Sequence, residues 1–170
     1  NEISLNQDKQ DMINDPADVV DLMVKTISWQ FLADSVASKS IAGLLMRHVT
    51  NSELEGMINA WSFFETIHAR TYSHIVKQTV INPNQVLRDT YNNIDIVSRS
   101  EAIVKAFNQL ESLPVDASVE DKRKAIALAF TALFALEAIA FMSSFAVTFA
   151  IAETGIFQGI GSLVTLIARD

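Results

Sequence analysis

The run from Ala125 to Ala152 constrains this chain more than any other stretch. Across it the only ionisable residue is Glu137, near the midpoint. A run of that length meets the test for a membrane-spanning helix. The alternative is a central helix covered on all sides by other helices. Three features favour the second reading. Ala, Ser and Thr dilute the apolar content. The flank offers only Lys122, Arg123 and Lys124 as a basic cluster. The charge also stands at mid-span, where a bilayer makes it most costly.

Helical spacing puts phenylalanines near that carboxylate. At 100° per residue, Phe130 lies about 20°, Phe141 about 40°, Phe134 about 60° and Phe145 about 80° from Glu137. The expectation is that they surround it on one face. A buried carboxylate costs several kcal/mol unless it is protonated, paired or metal-bound. No Lys or Arg on that helix comes within reach of Glu137. A metal is the economical partner; protonation or a base from another helix is the alternative.

A second stretch, Trp61 to Tyr72, carries the pair Glu65-x-x-His68. On a helix His68 lies about 60°, Trp61 about 40° and Tyr72 about 20° from Glu65. Carboxylate, imidazole, indole and phenol then share one stripe. Such an i, i+3 pair serves as a ligand pair in di-metal helical bundles, and also occurs on ordinary helix surfaces. The aromatic flanks favour burial. Asp34 has apolar neighbours in Phe31-Leu-Ala-Asp34-Ser-Val36, so burial is expected there too.

The chain has no cysteine, so a metal would be held by Asp, Glu and His. Oxygen-rich ligation with one imidazole suits Fe(II) or Mn(II) better than zinc. Net charge −7 argues against nucleic acid as a partner. With 49% hydrophobic residues in 170, one helical domain over 1–170 is expected, with no internal boundary. No signal peptide is seen at the amino terminus.

In order, residues 1–14 read as polar and irregular. Asp15-Pro16 opens a helix to about Ser38. A short helix covers Ile41 to His48. Ser52-x-x-Glu55 starts a long one to about Val80. Asn82-Pro83 caps another, and a further helix runs from about Asp95 to Leu113. Ser118-x-x-Asp121 caps the longest, to about Glu153. Gly155, Gly159 and Gly161 break the pattern before a last segment, Ser162 to Asp170. Three helices thus offer inward polar groups: Asp34; Glu65 with His68; Glu137. Tyr72 would sit beside such a centre in a dry phenylalanine pocket, where a phenol can be oxidised to a radical and protected; a core tyrosine with a hydrogen-bonded hydroxyl is the other reading.

These residues resemble a known family. Glu65-Thr-Ile-His68-Ala-Arg-Thr-Tyr72-Ser-His74, with Trp61 upstream, looks like the radical-generating (small, beta) subunit of class I ribonucleotide reductase. Leu32-Ala-Asp34-Ser35, Ala135-Leu-Glu137-Ala-Ile-Ala-Phe141-Met-Ser-Ser-Phe145 and Leu166-Ile-Ala-Arg169-Asp170 extend the likeness in the right order. The resemblance implies a ferritin-like helical bundle and a dinuclear centre that reacts with O2. It implies metal ligands at Asp34, Glu65, His68 and Glu137, a radical at Tyr72 and a pocket wall at Phe141 and Phe145. It implies that Asp170 orients the imidazole and joins the electron-transfer route, with Trp61 beside it. Two iron ions are expected, with manganese as the alternative; the E-T-I-H-A-R-T-Y wording is closer to the di-iron group.

The likeness is partial at both ends. In the family a second E-x-x-H follows the Arg-Asp pair at once, and this sequence stops at Asp170. Asn1-Glu2-Ile3-Ser4-Leu5 resembles the segment just after the family's electron-transfer tryptophan, which is not in the sequence, nor is the tail that docks on the large subunit. The expectation is a core fragment: a piece of a split subunit, an excised segment or a partial chain, inactive alone. Its implied partners are the large (alpha) subunit, a second copy, and a segment supplying the missing Glu and His. Its implied place is the cytoplasm, without a membrane, in ribonucleoside-diphosphate reduction. Rival readings are another ferritin-like di-metal oxidase or oxygenase, and a non-catalytic helical membrane or partner protein.

Overall fold

The computed structural model describes residues 3–170, apart from the side chains of Ser38 and Lys39. Asn1 and Glu2, which open the amino-terminal segment compared above, lie outside the described residues. Among the described residues there are eight α-helices and no strand. Residues 6–14, expected to be irregular, form α1 (Asn6–Asn14). Its buried face is polar: Asp8 and Asp11 are 1% and 5% exposed. A helix whose inner stripe is acidic shows no apolar period, so tertiary contacts decide it.

Helix α2 (Ala17–Ser40) follows Pro16, and no Asp15 side-chain cap forms. It runs on through a wide π turn, Ile41–Leu45, and a 3₁₀ turn, Met46–His48, where a separate short helix was expected. Asn51, not Ser52, caps α3 (Ser52–Thr79), accepting the Glu53 and Leu54 N–H groups at 3.0 and 2.9 Å. Asn82 and Pro83 start α4 (Pro83–Asn92) as expected. Asn93 caps α5 (Ile94–Glu111). Ser118 accepts the Asp121 N–H at 3.0 Å and starts α6 (Val119–Ala135). A π turn over Leu136–Phe141 joins it to α7 (Met142–Ala152), and α8 (Gln158–Arg169) completes the order.

The covered axis of the bundle is α2, not the long apolar helix. Helix α2 packs on α3, α4, α5 and α7. From Ile27 to Asp34 every residue except Phe31 is buried. Its neighbours therefore meet Asp34 from more than one side. The segment Val119–Ala152 is long and apolar enough to cross a membrane, yet only 28% of its most apolar window is buried. Phe134 and Ile139 stand 68% and 61% exposed. The expected cover on all sides is absent among the described residues.

Between α7 and α8 the chain reverses through Gly155 at φ +96° and Phe157 at φ +54°. Gly159 and Gly161 do not break the pattern; they lie inside α8, which starts four residues before the expected Ser162. Both mark close approaches. A Cβ on Gly161 would lie 2.8 Å from the Ala152 Cβ, across the α7–α8 contact. Gly56, by contrast, faces open space on α3. Gly161→Ala should therefore lower unfolding free energy by about 1–3 kcal/mol. Gly56→Ala should raise it by about 0.5–1 kcal/mol. Urea unfolding of the two variants checks the opposite signs.

Candidate metal centre

Asp34 on α2 and Glu65 and His68 on α3 come together in the core, at 2%, 3% and 8% exposure. Each offers a donor atom, and these atoms lie within 4.8 Å of one another. The Glu65–His68 pair is thus buried, not a surface pair. His68 directs Nδ1 toward Glu65, 4.0 Å from Oε2. Its Nε2 lies 3.3 Å from Asp170 Oδ2, at the end of α8. Trp61 donates its indole N–H to Glu65 Oε1 at 2.8 Å. The side chains on this stripe are therefore held from behind.

Glu137 approaches from the π turn between α6 and α7 and is partly buried. It lines the same cavity, about 470 Å³, as Asp34, Trp61, Glu65, His68 and Asp170. Phe141 and Phe145 also line it, stacked at 5.7 Å. Phe130 and Phe134 do not: they are 37% and 68% exposed. The angular reading assumed an unbroken α-helix. The wide turn at Leu136–Phe141 resets the phase between the two upstream phenylalanines and the two downstream ones. Nothing in the residue pattern announces such a turn. Trp29, which the sequence did not single out, packs against Phe141 at 5.2 Å.

Electrostatics follow from burying acids together. Burial pushes the Asp34 carboxyl well above the usual range, and the charges of Glu65 and Glu137 push it the same way. Burial also raises Glu65, opposed by the Trp61 N–H and by His68. Glu137 rises to about 8, through burial first and Glu65 second. Tyr72 is fully buried, and its phenol is held well above its ordinary range by burial and by the three acids. Asp34 Oδ2, Glu65 Oε2, Glu137 Oε1 and Tyr72 Oη meet no fixed donor or acceptor among the described residues, though the Asp34 and Glu65 carboxyls lie close enough to share a proton. Three orphaned carboxylate oxygens beside an imidazole are a donor set for a divalent cation, so the residues fit a metal centre.

Carboxylates and an imidazole brought together from α2, α3 and the α6–α7 turn of an all-α chain are the arrangement found in ferritin-like helical bundles. The chain belongs to the ribonucleotide reductase small chain family, whose model matches residues 1–170. It is 32% identical over 186 residues to the ribonucleoside-diphosphate reductase subunit beta of Buchnera aphidicola subsp. Baizongia pistaciae, covering 99% of this chain and 50% of that protein. Identity to the reductase 1 subunit beta of Escherichia coli O157:H7 is 30%, with the same coverage. The chain thus spans about half the length of the curated relatives it matches. A Bacillus halodurans crystal structure, assigned to class I ribonucleotide reductase, superposes with a TM-score of 0.87 at 19% identity, over 99% of this chain and 58% of that one.

The raised acids give the metal-free chain a defined pH response. Unfolded, Glu137 titrates near 4.5; folded, near 8. Between those values the unfolded state releases a proton that the folded state keeps. Stability from this group is therefore highest below pH 4.5 and falls as pH rises toward 8, by an amount on the order of a few kcal/mol. Asp34 and Glu65, shifted the same way, add to the loss. Glu137→Gln should flatten part of this slope. Denaturant unfolding at pH 5 and pH 8 measures it; a wild-type chain more stable at pH 8 would contradict it.

Proposed function

We propose that the chain forms the core of the radical-generating subunit of a ribonucleoside-diphosphate reductase. One observation carries this reading: Asp34, Glu65 and His68 converge, with orphaned oxygens, within electrostatic reach of the buried phenol of Tyr72. Asp34, Glu65, His68 and Glu137 would hold two ions, iron first and manganese second. When bound, the metal pair supplies the reduction of O2 that makes a phenol oxidisable.

The side chains do the rest. With His68 as its Nε2–H tautomer, Asp170 accepts that proton and the Nδ1 lone pair faces Glu65. Trp61 fixes one Glu65 oxygen and leaves the other free. The buried rings of Phe141 and Phe145 make part of the cavity wall apolar. Tyr72 is the phenol that would be oxidised, and the acids whose charges act on it, Asp34, Glu65 and Glu137, are the groups that would take its Oη proton. With its ring fully buried, the resulting radical is shielded from solvent reductants. The oxidising equivalent then serves a large subunit that reduces ribonucleotides in the cytoplasm.

Two further partners belong to this reading. Met57, Phe64 and Met142 line the cavity yet are 47%, 39% and 48% exposed. That apolar rim suits an amphipathic segment bringing another Glu and His. A second copy of the chain is the other partner, as a homodimer. A different ferritin-like oxidase would use the same ligands; the buried Tyr72 beside them favours the reductase.

The test mixes the chain with a segment that carries a second E-x-x-H, then adds Fe(II) and O2. Two ions per chain and a tyrosyl radical by electron paramagnetic resonance are expected. Tyr72→Phe should abolish the radical and leave the metal content unchanged. A radical that survives in Tyr72→Phe, or a completed assembly that binds no iron, overturns the proposal.

A further inference from the structure

Helix α8 has no capping side chain of its own. Its first turn is held from α1. Phe157 donates its N–H to Asp11 Oδ2 at 2.8 Å, and Ile160 donates to Asp8 Oδ1 at 2.7 Å. Two of the free N–H groups at the helix start thus end on buried carboxylates, whose charge also suits the helix dipole. The fit is close. A Cβ on Gly159 would run into the Asp8 carboxylate and come within 2.8 Å of the Ser4 carbonyl. Phe157 is held in the left-handed region with its ring fully buried, a conformation that costs about 1–2 kcal/mol without outside contacts.

The other end of α8 carries the group that meets the imidazole. Asp170 follows Arg169 directly, and its Oδ2 lies 3.3 Å from His68 Nε2. Neither Asp8 nor Asp11 lines the metal cavity. A stiff helix of 12 residues, about 18 Å long, connects the two ends. A shift of about 1 Å at its start, passed along the axis, is enough to break a hydrogen bond already at 3.3 Å.

We infer that Asp8 and Asp11 are positioning residues for the metal centre, which set the height of α8 and through it the Asp170 contact that orients His68. The inference rests on the reading of His68 as a ligand, but its first readout needs no metal. With three histidines in the 170 residues, ¹⁵N labelling of this chain gives assignable imidazole signals. At a pH where the rings are neutral, wild-type His68 should show the Nε2–H tautomer with Nδ1 bare.

Asp8→Ala should lose that single tautomer, whereas Asp8→Asn, whose amide oxygen still accepts the Ile160 N–H, should keep it. Gly159→Ala should reproduce the Asp8→Ala spectrum with every carboxylate present. Ile103→Ala on α5, a destabilising core control, should leave His68 unchanged. Co(II) titration of the same proteins should show affinity about tenfold weaker in Asp8→Ala and Gly159→Ala than in wild type. The inference is overturned if folded Asp8→Ala and Gly159→Ala keep the wild-type His68 tautomer, or if Asp8→Asn fails as Asp8→Ala does. It is also overturned if neither Asp8→Ala, Asp11→Ala nor Gly159→Ala folds, since the pair would then be a folding device only. If wild type binds no Co(II) even with the complementing segment, the metal reading fails, and the tautomer spectra still decide the positioning role.

Discussion

Asp34, Glu65 and Glu137 share one cavity in a helical core, and burial raises the proton affinity of all three. Acids this close cannot all be charged without a cation among them. Without metal, burial favours their protonated forms; a bound cation would neutralise them instead and satisfy the orphaned oxygens as well. Either way the surrounding helices must hold groups that repel one another when charged. The extensive packing of α2 against α3, and of α2 against α4, α5 and α7, supplies that constraint.

Local irregularity places the remaining groups. The π turn at Leu136–Phe141 presents Glu137 to the cavity and carries Phe141 and Phe145 to its wall. Wide turns of this kind give up regular hydrogen bonding and recur at functional sites. Helix α8 brings Asp170 to His68. Two departures from regular helix, one in mid-helix and one at the α7–α8 reversal, thus aim groups that regular periodicity would have aimed elsewhere.

The chain matches about half the length of its relatives, and its apolar surface is consistent with that. The long helix is mostly uncovered, and the cavity rim includes exposed methionine and phenylalanine. The same surface explains why hydropathy alone allowed a membrane reading. An apolar helix awaiting a protein neighbour and one awaiting lipid differ little in composition.

By itself the sequence determined the helical class, because caps at Ser118 and Asn82-Pro83 and the long helical patterns report local physics. It also determined the donor types, because a chain without cysteine leaves carboxylates and imidazole, and it showed the Glu65–His68–Tyr72 stripe, which depends only on helix pitch. Asp34 and Glu137 were legible as acids in apolar surroundings. Only the tertiary structure decided the rest. Helix α1 escaped notice because its buried face is acidic, and an acidic face looks like a solvated one until its N–H partners on α8 are in place. Phe130 and Phe134 were misplaced because a π turn changes phase without a residue signature. Gly159 and Gly161 looked like breaks because a glycine needed for close approach has the same letter as one needed for a turn. The centrality of α2 is a property of which helices pack on it, and no single helix carries that information in its own residues.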